Sequence, residues 1–208
     1  MCTIKQAVVL VLGATPMLAL AAGGPHWDYD GKEGPEHWGK MHKDYATCGL
    51  GHKQSPIDIA VTKKEKLPAI EFNYQPSPLR IVNNGHTVQV NFAAGNGIRI
   101  GADSYTLLQF HVHAPSEERV QGKAYDMVAH FVHKDAAGQL AVVGVLFEKG
   151  KDNAALAPVV ARLPKQAGPE QGFTDVKVDA ARLLPAGKGY YAFEGSLTTP
   201  PCSEGVRW

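Results

Sequence analysis

Three histidines carry the chemistry legible in this chain: His111 and His113, two positions apart, and His130 further along. In Leu108-Gln109-Phe110-His111-Val112-His113 apolar and polar residues alternate. A strand there sets Gln109, His111 and His113 on one face and Leu108, Phe110 and Val112 on the other. The next strand signal, Met127-Val128-Ala129-His130-Phe131-Val132-His133, follows a turn at Gln121-Gly122-Lys123, and antiparallel pairing centred on that turn brings His130 near His113. Three neutral imidazoles at about 2.0–2.1 Å from the metal, with the fourth tetrahedral position left to water, make a catalytic zinc site. A structural zinc site more often uses four protein ligands, many of them cysteines. A lone His-x-His pair is more often a surface or hydrogen-bonded feature. The third imidazole on the following strand, with Gln109 as an acceptor behind the ligands, turns the reading towards a metal. His133 has the wrong parity to join His130 and reads as structural.

The elements that must position these side chains are mostly strands. Signals run over Ile70 to Tyr74, Leu79 to Asn83, His86 to Phe92, Gly97 to Ile100, Tyr105 to His113 and Ala124 to His133, ending with the apolar run Leu140 to Phe147. Asn83-Asn84-Gly85 and Ala102-Asp103-Ser104 are the turns between them. The clearest helix signal spans Asp152 to Arg162, capped by Asp152 and compromised by Pro158. Gly24 to His52, rich in Gly, Pro, His and Trp, reads as irregular. The length suits one mainly β domain with a few short helices.

Residues 1–22 read as an export signal, with Lys5 as the positive start, an apolar run from Ala7 to Leu20, and small residues at Ala19-Leu20-Ala21-Ala22 for cleavage. The domain then occupies 23–208. Gly13 and Pro16 interrupt the short apolar run, which argues against a membrane span, and Cys2 lies ahead of it, which is not a lipid-anchor arrangement. The chain has 21 Lys and Arg against 20 Asp and Glu, so loss of Lys5 leaves the charges balanced. Such a balance, with no basic stripe, argues against nucleic acid or an anionic membrane as partner. Export implies an oxidising compartment, in which Cys48 and Cys202 are expected to pair rather than remain two free thiols. Closing so long a loop contributes on the order of 4 to 5 kcal/mol in the chain-entropy model. Neither cysteine sits in a Cys-x-x-Cys pair, so zinc binding by them is disfavoured.

Several longer motifs remain: His26-Trp27-Asp28-Tyr29, Gly34-Pro35-Glu36-His37-Trp38, Lys53-Gln54-Ser55-Pro56-Ile57-Asp58-Ile59, Asn83-Asn84-Gly85-His86 and Gly195-Ser196-Leu197-Thr198-Thr199-Pro200-Pro201. Together with Gln109-Phe110-His111-Val112-His113 and His130-Phe131-Val132-His133, they resemble the α-class carbonic anhydrases in their secreted bacterial form, from His26 to Trp208. The resemblance implies a large, twisted, mostly antiparallel sheet. It also implies reversible hydration of carbon dioxide to bicarbonate and a proton, through a zinc-activated hydroxide. His111, His113 and His130 match the zinc ligands, and Gln109 a residue behind them. Thr198 resembles the gatekeeper whose hydroxyl donates to Glu117, Thr199 a bicarbonate contact, and Val132, Val142, Leu197 and Val206 the apolar wall facing the substrate. His86 matches the proton shuttle, a role suited to an imidazole with an ordinary pKa of about 6.5. Tyr29, Asn84 and Gln89 match residues that organise the intervening waters. The implied partners are carbon dioxide, bicarbonate and water, with sulfonamides and small anions as inhibitors, on a monomer or homodimer. The expected location is secreted, and periplasmic in a double-membraned bacterium.

Three departures qualify that picture. Relatives usually carry a glutamate two residues before the third ligand, bonded to it, where this chain has Val128; loss of such a partner typically costs about 10 to 100-fold in metal affinity or activity. The residue after Glu117, often histidine, is Glu118 here. Either Glu118 supplies from its own strand the carboxylate that Val128 cannot, or it is a tolerated surface residue. Relatives also continue past Trp208, so the resemblance implies a missing C-terminal part, with an open sheet edge, no usual acceptor for His113, lower stability and weaker zinc binding than in a complete relative. Two other functions compete with catalysis: a silent carbonic anhydrase-like binding domain, against which the three retained histidines speak, and a zinc-dependent esterase, expected only as a side activity. No Gly-x-Ser-x-Gly elbow supports a serine mechanism.

Overall fold

The computed structural model describes residues 25–208, so the export-signal expectation for residues 1–22 lies outside the described residues. The strands are β1 (Asp58–Ile59), β2 (Ile70–Asn73), β3 (Ser77–Asn83), β4 (Val88–Asn91), β5 (Gly97–Ile100), β6 (Asp103–His113), β7 (Arg119–Val120), β8 (Lys123–Ala124), β9 (Met127–Lys134), β10 (Leu140–Phe147), β11 (Gln171–Val178), β12 (Glu194–Ser196) and β13 (Glu204–Arg207). Among the described residues, ten of these form one sheet in the order β11-β3-β4-β6-β9-β10-β13-β12, with β5 also paired to β6 and β2 to β5. Every neighbouring pair in it is antiparallel except β10 with β13. A second, three-stranded sheet joins β1, β7 and β8. The expected mainly β fold on a large, mostly antiparallel sheet is what the chain adopts.

The alternation in β6 and β9 gives the sheet two different faces. Phe110 stands opposite Phe131 and Val90, and Val112 opposite Ala129, so one face is apolar and packs with Leu79, Ile81, Val159, Val178 and Leu183 into the core. His111 stands opposite His130 and Gln89, so the other face carries the imidazoles. His130 does come near His113, with ring centroids 4.9 Å apart, but the pairing is shifted so that His130 lies opposite His111 and Val128 opposite His113. The connection explains the shift. Gln121 and Gly122, at φ 51° and 78°, turn only the small hairpin β7–β8. The chain from β6 to β9 also passes through Ser116, whose amide and hydroxyl hold Tyr125. Leu108 does not share a face with Phe110 and Val112 in a regular strand. A register shift between Leu107 and Gln109 restores the parity that buries both Leu107 and Phe110.

Other boundaries differ as well. The segment read as one strand from Ala124 to His133 is broken into β8 and β9, and the turn read at Ala102-Asp103-Ser104 falls on Gly101-Ala102, with Gly101 at φ 64°. The expected helix shrinks to Ala157–Val160. Asp152 does not cap it: the N-cap is Leu156, without a side-chain bond, Asn153 accepts from the Ala155 amide at 2.9 Å in the turn ahead, and Pro158 sits in the first turn, where its missing N–H costs nothing. The early segment folds into short helical turns at Gly31–Glu33, Trp38–Met41, Lys43–Tyr45 and Thr47–Leu50. Strands β11 to β13 escaped the pattern because β11 is an exposed edge and the other two are short and contain glycine.

Several of the longer motifs act as latches. The Trp38 indole N–H donates to the carbonyls of Asp28 and Glu33, which anchors the N-terminal segment. Ser55 and Ser196 exchange two hydrogen bonds, and the Gln54 amide donates to the Cys202 carbonyl, fastening 53–56 to the segment that carries Thr198. The expected disulfide Cys48–Cys202 is present and ties the same segment to the helical turn at Thr47–Leu50. No helix among the described residues is long and apolar enough to cross a membrane.

Candidate functional site

His111, His113 and His130 sit side by side on the polar face of β6 and β9, their ring centroids 4.9 to 5.4 Å apart. Each ring has one nitrogen committed or free in a way the surroundings dictate. Nδ1 of His111 is bonded to Gln109 Oε1 at 2.8 Å, which makes it the protonated nitrogen and leaves Nε2 with its lone pair. Nε2 of His130 lies 2.9 Å from Glu118 Oε2, so the carboxylate takes that N–H and frees Nδ1. Nε2 of His113 is buried with no hydrogen-bond partner, while its Nδ1 faces Glu117 Oε1 at 3.4 Å. Buried polar atoms without partners are rare, and a lone pair aimed at two others is the donor set of a metal. The three histidines are close enough for one ion, all ligand atoms falling within 4.8 Å of one another. They suit zinc: three imidazole nitrogens with the remaining position open.

Burial keeps the His111 and His113 imidazoles neutral, the state a metal needs. Burial, aided by the neighbouring rings His130 and His113, pushes His111 down to about 3. Burial and His130 push His113 down to about 4, against a small opposing pull from Glu118. Glu117 moves the other way, up to about 7, because burial of its carboxylate outweighs the attraction of His130 and the hydrogen bond of the Thr198 hydroxyl. Glu117 therefore lies between the histidines and Thr198, with its Oε2 3.9 Å from His130 Nδ1. His133 is the structural residue its parity suggests, buried, with Tyr74 Oη 2.7 Å from Nε2 and the Ala141 carbonyl 3.1 Å from Nδ1.

A cavity of about 180 Å³ opens over the three rings. Val132, Val142, Leu197, Thr198 and Thr199 line it, as do Tyr29, Asn84, His86, Gln89 and Gln109. Val206 does not: it is buried beside Gly195 in the pairing of β13 with β12. His86 lies at the rim, stacked on Trp27 with centroids 3.7 Å apart and planes 8° apart. Partial burial holds its pKa below the ordinary value, opposed by Asp28 and reinforced by His26. The turn beneath it is fixed by Asn84, whose Oδ1 accepts from the amides of His86 and Thr87. Gln89 donates to Asn91. Burial raises the Tyr29 phenol far above its usual range, with Glu117 and Asp28 adding to the shift, so it stays protonated. Trp27 and Trp208 also line the cavity, a role the sequence does not suggest for either. Nothing in their spacing marks them; Trp208 is recognised only by its edge-on contact with His130, at 4.9 Å.

A mainly antiparallel sheet gathers three histidines at the floor of a half-apolar cleft as a candidate metal site, and comparison with known proteins supplies the family. Residues 33–208 match the family model described as eukaryotic-type carbonic anhydrase. A carbonic anhydrase of Neisseria gonorrhoeae is 45% identical over 206 residues, covering 98% of this chain and 81% of that protein. Among solved structures, the α-carbonic anhydrase of Thermovibrio ammonificans in complex with sulfanilamide superposes with a TM-score of 0.86 at 44% identity, over 89% of this chain and 83% of that one. A hyperthermostable carbonic anhydrase from an active hydrothermal vent chimney gives 0.85 at 46%, over 88% and 82%. The chain belongs to the α-class carbonic anhydrase family. It is an enzyme of that family, whose reaction is the hydration of carbon dioxide.

Proposed function

We propose that the protein catalyses the reversible hydration of carbon dioxide with a zinc ion held by Nε2 of His111, Nε2 of His113 and Nδ1 of His130. The observation that carries this reading is the buried, unpartnered Nε2 of His113 beside two rings whose other nitrogens are already committed to Gln109 and Glu118. Zinc, when bound, supplies a water acidic enough to serve as a nucleophile near neutral pH. The chain does the rest. Val132, Val142 and Leu197 offer carbon dioxide an apolar wall beside the rings. The Thr198 hydroxyl donates to Glu117, so its oxygen is left to accept a hydrogen bond from the attacking group and would orient it. Thr199, which lines the same cavity, would help hold bicarbonate.

Each turnover releases a proton, and His86 is the group placed to take it. It shares the cavity with the three histidines, is neutral near pH 7 and opens to solvent beyond Trp27. Tyr29, Asn84 and Gln89 line the space between and would order the waters of the path. The disulfide and the bacterial relatives support a secreted, periplasmic setting. Metal content after dialysis of the purified chain, with a His111→Ala control, tests the reading. About one zinc per chain and measurable carbon dioxide hydration, both lost in the control, are expected; no zinc in the parent chain would favour a silent binding domain.

A further inference from the structure

We infer that Glu118 is the positioning residue of His130, a carboxylate delivered from the loop before β7 to a place that β9 itself leaves apolar. The inference rests on the metal reading above and deepens it. Glu118 is 4% exposed, and its Oε2 meets His130 Nε2 at 2.9 Å. Its other oxygen, Oε1, has no partner among the described residues. A buried carboxylate that makes a single contact is poorly compensated for its lost hydration, so fold stability does not account for its presence. Its one contact is to a ring that needs a fixed tautomer.

The backbone holds it there. The Ser116 hydroxyl donates to the Glu118 carbonyl, and the Arg119 amide donates to the Ile57 carbonyl, so residues on both sides of Glu118 are tied to the frame. Strand β9 offers no alternative. Val128, two residues before His130 on the same face, is fully buried and has no polar atom to give. Opposite His130 stands Gly144, where an added Cβ would already touch Val128 Cγ2 at 3.7 Å and the His130 ring at 3.8 Å. The strand partner thus presents no side chain to the imidazole. With Glu118 accepting from Nε2, the Nδ1 lone pair of His130 faces the free nitrogens of His111 and His113; with the tautomer reversed, the three-nitrogen set is broken.

The test uses two readouts. In the zinc-free chain, ¹⁵N shifts of a labelled protein report the His130 tautomer; the Nε2–H form is expected, and an Nδ1–H form overturns the inference. Chelator competition then measures zinc affinity. Glu118→Val is expected to weaken it about 10 to 100-fold, and adding Val128→Glu to that variant is expected to recover most of the loss. Glu118→Gln, close in size, serves if the valine variant does not fold, with a smaller loss in affinity expected. Wild-type affinity in the variants overturns the inference, whatever their melting temperatures. A parent chain that takes up no zinc refutes the metal reading instead, and the tautomer measurement still decides on Glu118.

Discussion

At the scale of single residues, burial sets most of the chemistry. His111 and His113 remain unprotonated far below their ordinary range because the charged form would be stranded among apolar neighbours and other rings. His86, at the rim, keeps enough contact with solvent to exchange protons. His86→Ala is expected to slow hydration at low buffer concentration while leaving zinc content unchanged, and small imidazole buffers should restore the rate. Stopped-flow assays across buffer concentrations check this. The residue types of this site were legible because alternation in a strand fixes faces: Gln109, His111 and His113 had to point together. The partners of their other nitrogens were only half legible. Gln109 shares their strand, whereas Glu117 and Glu118 arrive from a loop whose path no local pattern encodes.

Strands and their register decide which face a side chain joins. The site lies on one side of β6 and β9 and the core on the other, so the two are coupled through one layer of backbone. Phe131 is fully buried and meets Phe110 at 5.4 Å, directly behind the histidine face. Phe131→Ala is expected to destabilise the fold by about 3–5 kcal/mol, measured by urea unfolding with zinc absent. The long strands were readable from alternation, but their register was not. A turn at Gln121-Gly122 predicts His130 near His113, as found, but its strand partner is His111 because of the extra hairpin between β6 and β9. Edge strand β11 was invisible because exposed edges need no apolar alternation.

For the molecule as a whole, the same burial predicts its response to acid. His111, His113 and His133 have folded values of about 3, 4 and 4, below the ordinary 6.5, so each binds a proton on unfolding between those values and 6.5. Glu117 does the opposite between 4.5 and about 7, being protonated when folded and ionised when unfolded. The histidines outnumber it, leaving a net uptake on unfolding of about two protons and a slope of about 2.7 kcal/mol per pH unit. Stability of the zinc-free protein is therefore expected to rise with pH from about 4.5 to 6.5. Above 6.5 the slope shrinks towards zero, because the unfolded histidines and the folded Glu117 carboxyl lose their protons over the same range. Urea unfolding free energies across that range check the sign. The disulfide Cys48–Cys202 adds a pH-independent share in acid, about 5 kcal/mol in the chain-entropy model for a separation of 154 residues.

The sequence by itself determined the periodicity of the strands, the shared face of His111 and His113, the exclusion of His133 by parity, and the family, because these are local patterns or long motifs. Tertiary structure alone decided that His130 stands opposite His111, that Trp27 and Trp208 enter the cavity, that Val206 stays out of it, and that Glu118 reaches the imidazole Val128 cannot serve. The physical reason is the same in each case. Backbone geometry fixes directions over two or three residues, whereas contacts between distant segments depend on loops, bulges and burial that only the packed chain sets.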